Sequence, residues 1–349
     1  MSTTYRAIAW NPQKRRYDLV AAGLIVAFAA TVGVVQAIIR PELTIETLLI
    51  RALGATAFTL LNVILCIGPL SRLDRRFVPL LYNRRHLGVM MFTLALGHGA
   101  FSIVQFHALG TLNPLVSVLV SNPRYATISQ LPFQPFGLAA LVILFLMAAT
   151  SHDFWLHNLT APVWKTLHMG VYVAYTFIVL HVIFGVLQGE ASPLLGWALC
   201  GSVLTVFALH VLAARQEAQG DRENSNAHRD GFVDVCAVND IPEKRAVMTC
   251  LSGERVAVFR YDGRVSAISN VCQHQNGPLG EGRIVNGCVV CPWHGYEYLP
   301  DTGASPLPFT EKVPTFDVRV VAGRVLVHPL PHAPGTRVEP ALLETVQTA

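Results

Sequence analysis

The sequence predicts a membrane all-α six-helix bundle followed by a soluble all-β domain. Three observations carry this expectation. The 349 residues are 52% hydrophobic and only 14% charged, against about 25% charged in an ordinary soluble protein, which puts much of the chain in lipid. The apolar residues fall into six long runs, all before residue 214. Beyond 230 the pattern changes to short apolar or alternating segments separated by Gly, Pro, Asp and Asn, the pattern of strands and turns.

Residues 1–17 form a polar, basic segment with Arg6, Lys14, Arg15 and Arg16. The run Asp18–Ile39 follows. A basic start before an apolar run can be a signal peptide, but about 22 residues are enough to span, and more spans follow. Arg40-Pro41 ends it. The second span, 48–70, closes at Gly68-Pro69, and the segment 71–85 then brings five arginines (72, 75, 76, 84, 85). The third span is 86–109. Residues 110–132 read as a loop with three prolines, whose VSVLV patch lies at the membrane surface or against the bundle. Spans four to six are 134–150, 165–187 and 193–213, which makes 18–213 one membrane domain.

A polar linker, 214–229, leads to a β domain over 230–331, and a Pro-rich stretch, 332–349, reads as a loose tail. Within the β domain VDVCAV, AVMTCL, RVAVFR, VSAIS, CVVC, FDVRVV and RVLVHP are the strand candidates, and YDGR (261–264) is a hairpin signal. No fixed-period repeat is evident.

Net charge is only +4, so its placement says more than its sum, and nothing suggests a nucleic-acid partner. The basic segments are the N-terminus, 71–85 and the stretch after span six, while the loops after spans one, three and five are poor in Lys and Arg. By the positive-inside rule both termini and the β domain are cytoplasmic, as in a bacterial inner-membrane protein.

Seven cysteines (66, 200, 236, 250, 272, 288, 291) do not form a secreted disulfide framework. Two of them open the pairs Cys272-x-His274 and Cys291-x-x-His294. Two thiolates and two imidazoles supply a [2Fe–2S] centre with Cys on one iron and His on the other. The rival is a Cys₂His₂ zinc site, which usually has its cysteines together, then its histidines. Here each pair is mixed and embedded in GPLGEG and CPWHGY. The stretch resembles the Rieske family over roughly 230–330. That resemblance implies Cys272, His274, Cys291 and His294 as cluster ligands. Respiratory Rieske proteins add two disulfide-forming cysteines, and Gly277 and Trp293 occupy those positions here, which fits a reducing compartment. They also use a Ser and a Tyr as donors toward sulfur. Tyr296 takes the Ser position and Tyr298 matches the Tyr. One lost donor implies a low-potential, ferredoxin-like centre.

His86, His98, His107, His168, His181 and His210 lie in the spans. Ionisable groups at membrane depth usually face a bundle interior. Counting from Arg85 and Lys165, His98 and His181 reach similar depths, as do His86 and His168, so two levels can each hold a b-type haem. His107 and His210 read as structural or outer-surface residues. RRHLGVMMFTLALGH (84–98), ATSHDFWL (149–156) and WKTLHMGVYVAYTFIVLH (164–181) resemble the ferric-reductase-type membrane domain, in particular the haem-binding subunit of the methionine-sulfoxide reductase system. The resemblance implies haem ligands at His98, His168 and His181. For the partner of His168 we expect His86 first, with His152 and His157 as outside candidates.

The expected function is transmembrane electron transfer, as an oxidoreductase component without catalytic residues of its own. A cytoplasmic donor (a reductase or a ferredoxin-like protein) reduces the [2Fe–2S] cluster, which passes electrons to one or two b haems and then to an acceptor on the periplasmic side. The alternatives are a quinol/quinone-linked oxidoreductase with a soluble cytoplasmic partner and, last, a haem/Fe–S redox sensor.

Overall fold

The computed structural model describes residues 12–343 except 82–83, 121, 123, 126, 128–130, 152–154, 156–158, 160, 191, 221–223, 225–229, 275, 293–294 and 308. The chain divides into a helical unit within 6–211 and a β unit over 212–349.

The helical unit contains α1 (Pro12–Ile39), α2 (Ile45–Leu73), α3 (Arg84–His107), α4 (Pro114–Val120), α5 (Gln134–Ala149), α6 (Ala161–Phe184) and α7 (Leu194–Gly220), the last running on into the β unit. Five of these are long and apolar enough to cross a membrane. The remaining expected span is α5, whose 16 residues rise about 24 Å, short of a hydrocarbon core of about 30 Å. α2 begins where Thr44 Oγ1 accepts from the Thr47 amide at 3.3 Å, a side-chain N-cap. α2 packs on α3, and α5 on α6. Between these pairs the structure reveals what the sequence reading passed over. Ala57 and Ala140, Leu61 and Leu144, Met91 and Ala174 are all buried, and the members of each pair are 83 residues apart. Thr93 and Thr176 hold the same offset and bond the equivalent carbonyls of Val89 and Tyr172. The described residues of α2/α3 and of α5/α6 are thus related by one internal offset of 83 residues. The side chains that meet in the middle retain the match, and the lipid-facing ones obscure it.

Three other expectations change. The 110–132 loop includes a helix, α4, whose Ser117 hydroxyl meets His107 Nδ1 at 2.9 Å. The linker begins as helix, since α7 continues to Gly220, and Asn224 is tied by its backbone amide to the Cys250 carbonyl at 2.9 Å, while its side-chain Nδ2 donates to the Asp234 backbone carbonyl at 3.0 Å. The tail is docked as far as described: Ala341–Leu342 pairs as a strand, and the amides of Val338 and Leu343 bond Asp301 and Gly263. Extended backbone beside an open strand edge satisfies polar groups that water would otherwise take.

The β unit contains β1 (Val233–Ala237), β2 (Arg245–Leu251), β3 (Glu254–Tyr261), β4 (Arg264–Ser269), β5 (Arg283–Val285), β6 (Cys288–Val290), β7 (Glu297–Tyr298), β8 (Thr315–Phe316), β9 (Val318–Val321), β10 (Arg324–Val327) and β11 (Ala341–Leu342). One sheet runs β1-β10-β9. A second runs β11-β4-β3-β2, with β8 also on β4, and a third runs β5-β6-β7. All described strand pairs are antiparallel. The β3–β4 hairpin turns on Asp262 (φ 45°) and Gly263 (φ 70°), the two left-handed residues of a type I′ turn.

β3 is the wall between two cores. Its Val256 and Val258 pack with Ile241, Leu251, Phe316 and Val325. Ala257 and Phe259 point the other way, to Ile268, Leu279, Val289, Tyr298 and the two ligand-type cysteines. Alternation with period two lets one strand serve both cores. A continuous apolar run is the sequence consequence.

Candidate redox sites

Cys272 follows β4 and Cys291 follows β6, and each opens a loop of the same design. The Cys272 amide donates to the Gly277 carbonyl at 3.0 Å, and the Asn276 amide returns to the Cys272 carbonyl at 2.6 Å. In the second loop the Cys291 amide donates to Tyr296 at 2.7 Å, and the Gly295 amide returns to Cys291 at 2.9 Å. The fourth residue after each cysteine is left-handed, Asn276 at φ 57° and Gly295 at φ 72°. Asn and Gly are the residues that tolerate this conformation, which gives Gly295 its reason.

Both cysteines are buried, at 1% and 2% exposure, as the sulfur side of a shielded metal centre requires. The His274 ring stacks on Tyr296 with centroids 4.9 Å apart and planes 11° from parallel. His294 and Trp293 lie outside the described residues. No three described His, Cys, Asp or Glu gather as a single-ion site. A two-iron cluster divides its ligands between two metals, so this does not count against it.

Tyr298, fully buried, places its hydroxyl 3.4 Å from Cys272 Sγ and accepts from the Gln273 amide at 3.1 Å. Burial and the neighbouring Cys272 hold its pKa well above the ordinary tyrosine value. The Tyr296 hydroxyl donates instead to the Glu311 carboxylate, and burial together with that bond raises its pKa too. One donor therefore faces sulfur, and the residue in the other donor position is turned away. Burial pushes the Cys236 thiol up to about 11 and the Cys288 thiol upward, so both stay protonated.

In the helical unit, the structure brings His98 of α3 and His181 of α6 together, with ring centroids 6.1 Å apart and nearly perpendicular. His98 Nδ1 meets the Ile50 carbonyl at 2.9 Å, and His181 Nδ1 meets the Phe133 carbonyl at 2.9 Å. The two bonds are equivalent in the internal repeat, each joining residues 48 apart. Next to each lies a glycine that had drawn no notice in the sequence. A Cβ on Gly54 would stand 2.8 Å from His98 Nδ1, and one on Gly137 would stand 2.7 Å from His181 Nδ1. The ring lies against the neighbouring helix backbone, and only glycine leaves room for it. The 83-residue offset of Gly54/Gly137 and His98/His181 was the available signal.

This geometry fits an iron between the rings. Two metal–imidazole bonds of about 2 Å, each nitrogen about 1 Å from its ring centre, separate the centres by about 6 Å. The carbonyl bonds fix Nδ1 as donor and leave Nε2 for metal, the usual outer-shell arrangement of a ligating histidine.

His168 is held differently. Its Nδ1 bonds Trp164 O of its own helix at 2.9 Å, and the Trp164 ring stacks on it at 3.7 Å. Its Nε2 is buried and has no hydrogen-bond partner among the described residues. A buried orphan acceptor fits a metal ligand. His86 Nδ1 lies 2.8 Å from Asp18 Oδ2 of α1. His210 is saturated by Tyr172 and by the Val206 carbonyl. His152 and His157 are outside the described residues.

The comparisons agree with this division. Residues 231–317 match the Rieske [2Fe-2S] domain, and residues 53–179 match the ferric reductase like transmembrane component. The ferredoxin component of the alkene monooxygenase system of Xanthobacter autotrophicus is 31% identical over 111 residues, covering 30% of this chain and 91% of that one. The ferredoxin subunit of anthranilate 1,2-dioxygenase of Burkholderia cepacia is 32% identical over 93 residues, 26% of this chain and 86% of that one. A solved structure of the ferredoxin complex of carbazole 1,9a-dioxygenase aligns at 26% identity, covering 30% of this chain and 97% of that chain, with a TM-score of 0.28.

Through its C-terminal part the chain belongs to the Rieske [2Fe–2S] ferredoxin family, and it carries a ferric-reductase-like transmembrane component in the same polypeptide. It is a membrane redox protein.

Proposed function

We propose that the chain carries electrons across the membrane from a cytoplasmic donor, through the Rieske cluster, to b-type haem between His98 and His181, and on to an acceptor on the far side. The observation that carries this reading is the His98–His181 pair, 6.1 Å between ring centres at equivalent places of two helix pairs. Haem, when bound, supplies a one-electron carrier at that depth. The Ile50 and Phe133 carbonyls orient the imidazoles through Nδ1, buried Ala57, Leu61, Ala140 and Leu144 exclude water, and the two Nε2 atoms would hold the haem iron. His168, 13 residues nearer the basic side, supplies a second level about 20 Å away. The cluster ligands are Cys272 and Cys291 on one iron and His274 and His294 on the other. The arginines at 72, 75, 76, 84 and 85 support a cytoplasmic cluster.

The test is spectroscopic. Purified protein should show a low-spin bis-histidine b-haem band that either His98→Ala or His181→Ala removes. Its absence from the native protein would sink the proposal.

One observation favours the quinol-linked reading as an alternative. Asp18 is buried in the helical unit against His86, a carboxylate–imidazole pair able to take protons from a quinol. Haem reduction by quinol alone, with the cluster donor omitted, would decide for it.

A further inference from the structure

Tyr296 takes the place of a lost sulfur donor, yet it ties the two ligand loops together. Its carbonyl accepts from the Cys291 amide at 2.7 Å, inside the second loop. Its ring reaches across to the first loop and lies on the His274 imidazole, with centroids 4.9 Å apart and planes 11° from parallel. The outer torsion of a histidine side chain is broad by itself. A flat ring laid against the imidazole narrows it.

A third segment holds the tyrosine in turn. The Glu311 carboxylate accepts from the Tyr296 hydroxyl, and the Thr310 amide donates to the same carboxylate at 3.1 Å. The Phe309 ring packs against Tyr296 with centroids 4.9 Å apart. This segment is closed on itself, since the Ser305 amide donates to the Glu311 carbonyl at 2.9 Å and Ala304 pairs with Lys312. Glu311 therefore has a fixed place from which to hold the ring.

We infer that Glu311 and Tyr296 are positioning residues for the cluster: the carboxylate anchors the tyrosine, and the tyrosine ring sets the plane of His274. The inference rests on the reading of His274 as a cluster ligand. Groups just outside a metal's ligands orient those ligands and tune the metal. Here the orientation passes through a stacked ring. Tyr298 acts separately, on the sulfur of Cys272. The thiolate side and the imidazole side of the cluster are then served by different tyrosines, two residues apart in the chain.

The experiment uses the full-length protein in detergent, reduced with dithionite so that the cluster is paramagnetic. Electron spin-echo envelope modulation then reads the nitrogen couplings of the two ligating imidazoles, and chelator-induced loss of the cluster reads how firmly it is held. Tyr296→Leu should shift one nitrogen coupling, leave the other in place, and speed cluster loss about tenfold. Tyr296→Phe and Glu311→Ala should each shift the same coupling by less. The double variant should do no more than either alone, because both changes cut one bond. Glu311→Gln keeps an acceptor for the hydroxyl and should restore the native coupling, whereas an effect of charge would leave it shifted as in Glu311→Ala. Couplings unchanged or both shifted in Tyr296→Leu, additive shifts in the double variant, or no rescue by Glu311→Gln overturn the inference. If Tyr296→Leu loses the cluster outright, Tyr296→Phe, Glu311→Ala and their combination decide by the same criteria. Native protein with no cluster signal, or with fewer than two histidine couplings, overturns the ligand assignment instead.

Discussion

At the scale of single residues, the cluster's potential turns on two tyrosines that the sequence places two apart and the fold separates in role. Tyr298 reaches Cys272 Sγ, and Tyr296 spends its proton on Glu311. The reduced cluster carries more negative charge, so a donor toward sulfur stabilises it and raises the potential. Tyr298→Phe removes that donor. A hydrogen bond of about 1 kcal/mol corresponds to about 40 mV for one electron. Redox titration of the variant should therefore give a cluster potential lower by a few tens of millivolts, with the cluster retained. An unchanged potential would show that the hydroxyl does not act on the sulfur.

At the scale of elements, the helix pairs α2/α3 and α5/α6 hold their histidines by the same device, a glycine beside the carbonyl that takes Nδ1–H. Gly54→Ala and Gly137→Ala each put a methyl under 3 Å from the ring, and neither ring can retreat without breaking its carbonyl bond. Low-spin haem content should fall severalfold in each. Gly88→Ala is the control, because its Cβ meets nothing within 4 Å and alanine favours the helix by about 1 kcal/mol; its haem content should match the native protein. The imidazole pattern was legible in the sequence as depth, since His98 and His181 count to similar levels. Facing was not legible, because 13 steps along a helix do not return to one side, and the structure turns His86 toward Asp18 of α1. The glycines were invisible for another reason: a residue with no side chain leaves no hydrophobic or charge signal, only a space that another element fills.

At the scale of the molecule, the basic segments and the apolar helices together make an orientation testable. Leu307, 89% exposed in the β unit, can be replaced by cysteine and labelled with a membrane-impermeant maleimide. Leu307→Cys should label in inverted vesicles and not in right-side-out ones. The opposite result would reverse the direction argued for electron entry. The same scale explains why Asn224 and the described part of the tail are held in place. The linker and the tail are polar and rich in turn formers, so composition marked them as loose, yet Asn224 and the strand Ala341–Leu342 are held by backbone hydrogen bonds. Such bonds depend on what lies alongside, which composition does not encode.

The sequence by itself determined the division into an apolar helical part and a β part, the mixed Cys/His pairs with their loop residues, and the strands that follow period two. These are local properties: run length, alternation and spacing along one chain. Tertiary structure decided which histidines meet, which tyrosine faces sulfur, and that α2/α3 and α5/α6 are related by one internal offset. Each of these depends on distances between residues dozens of positions apart, set by helix rotation and close packing, and no short window of sequence contains them.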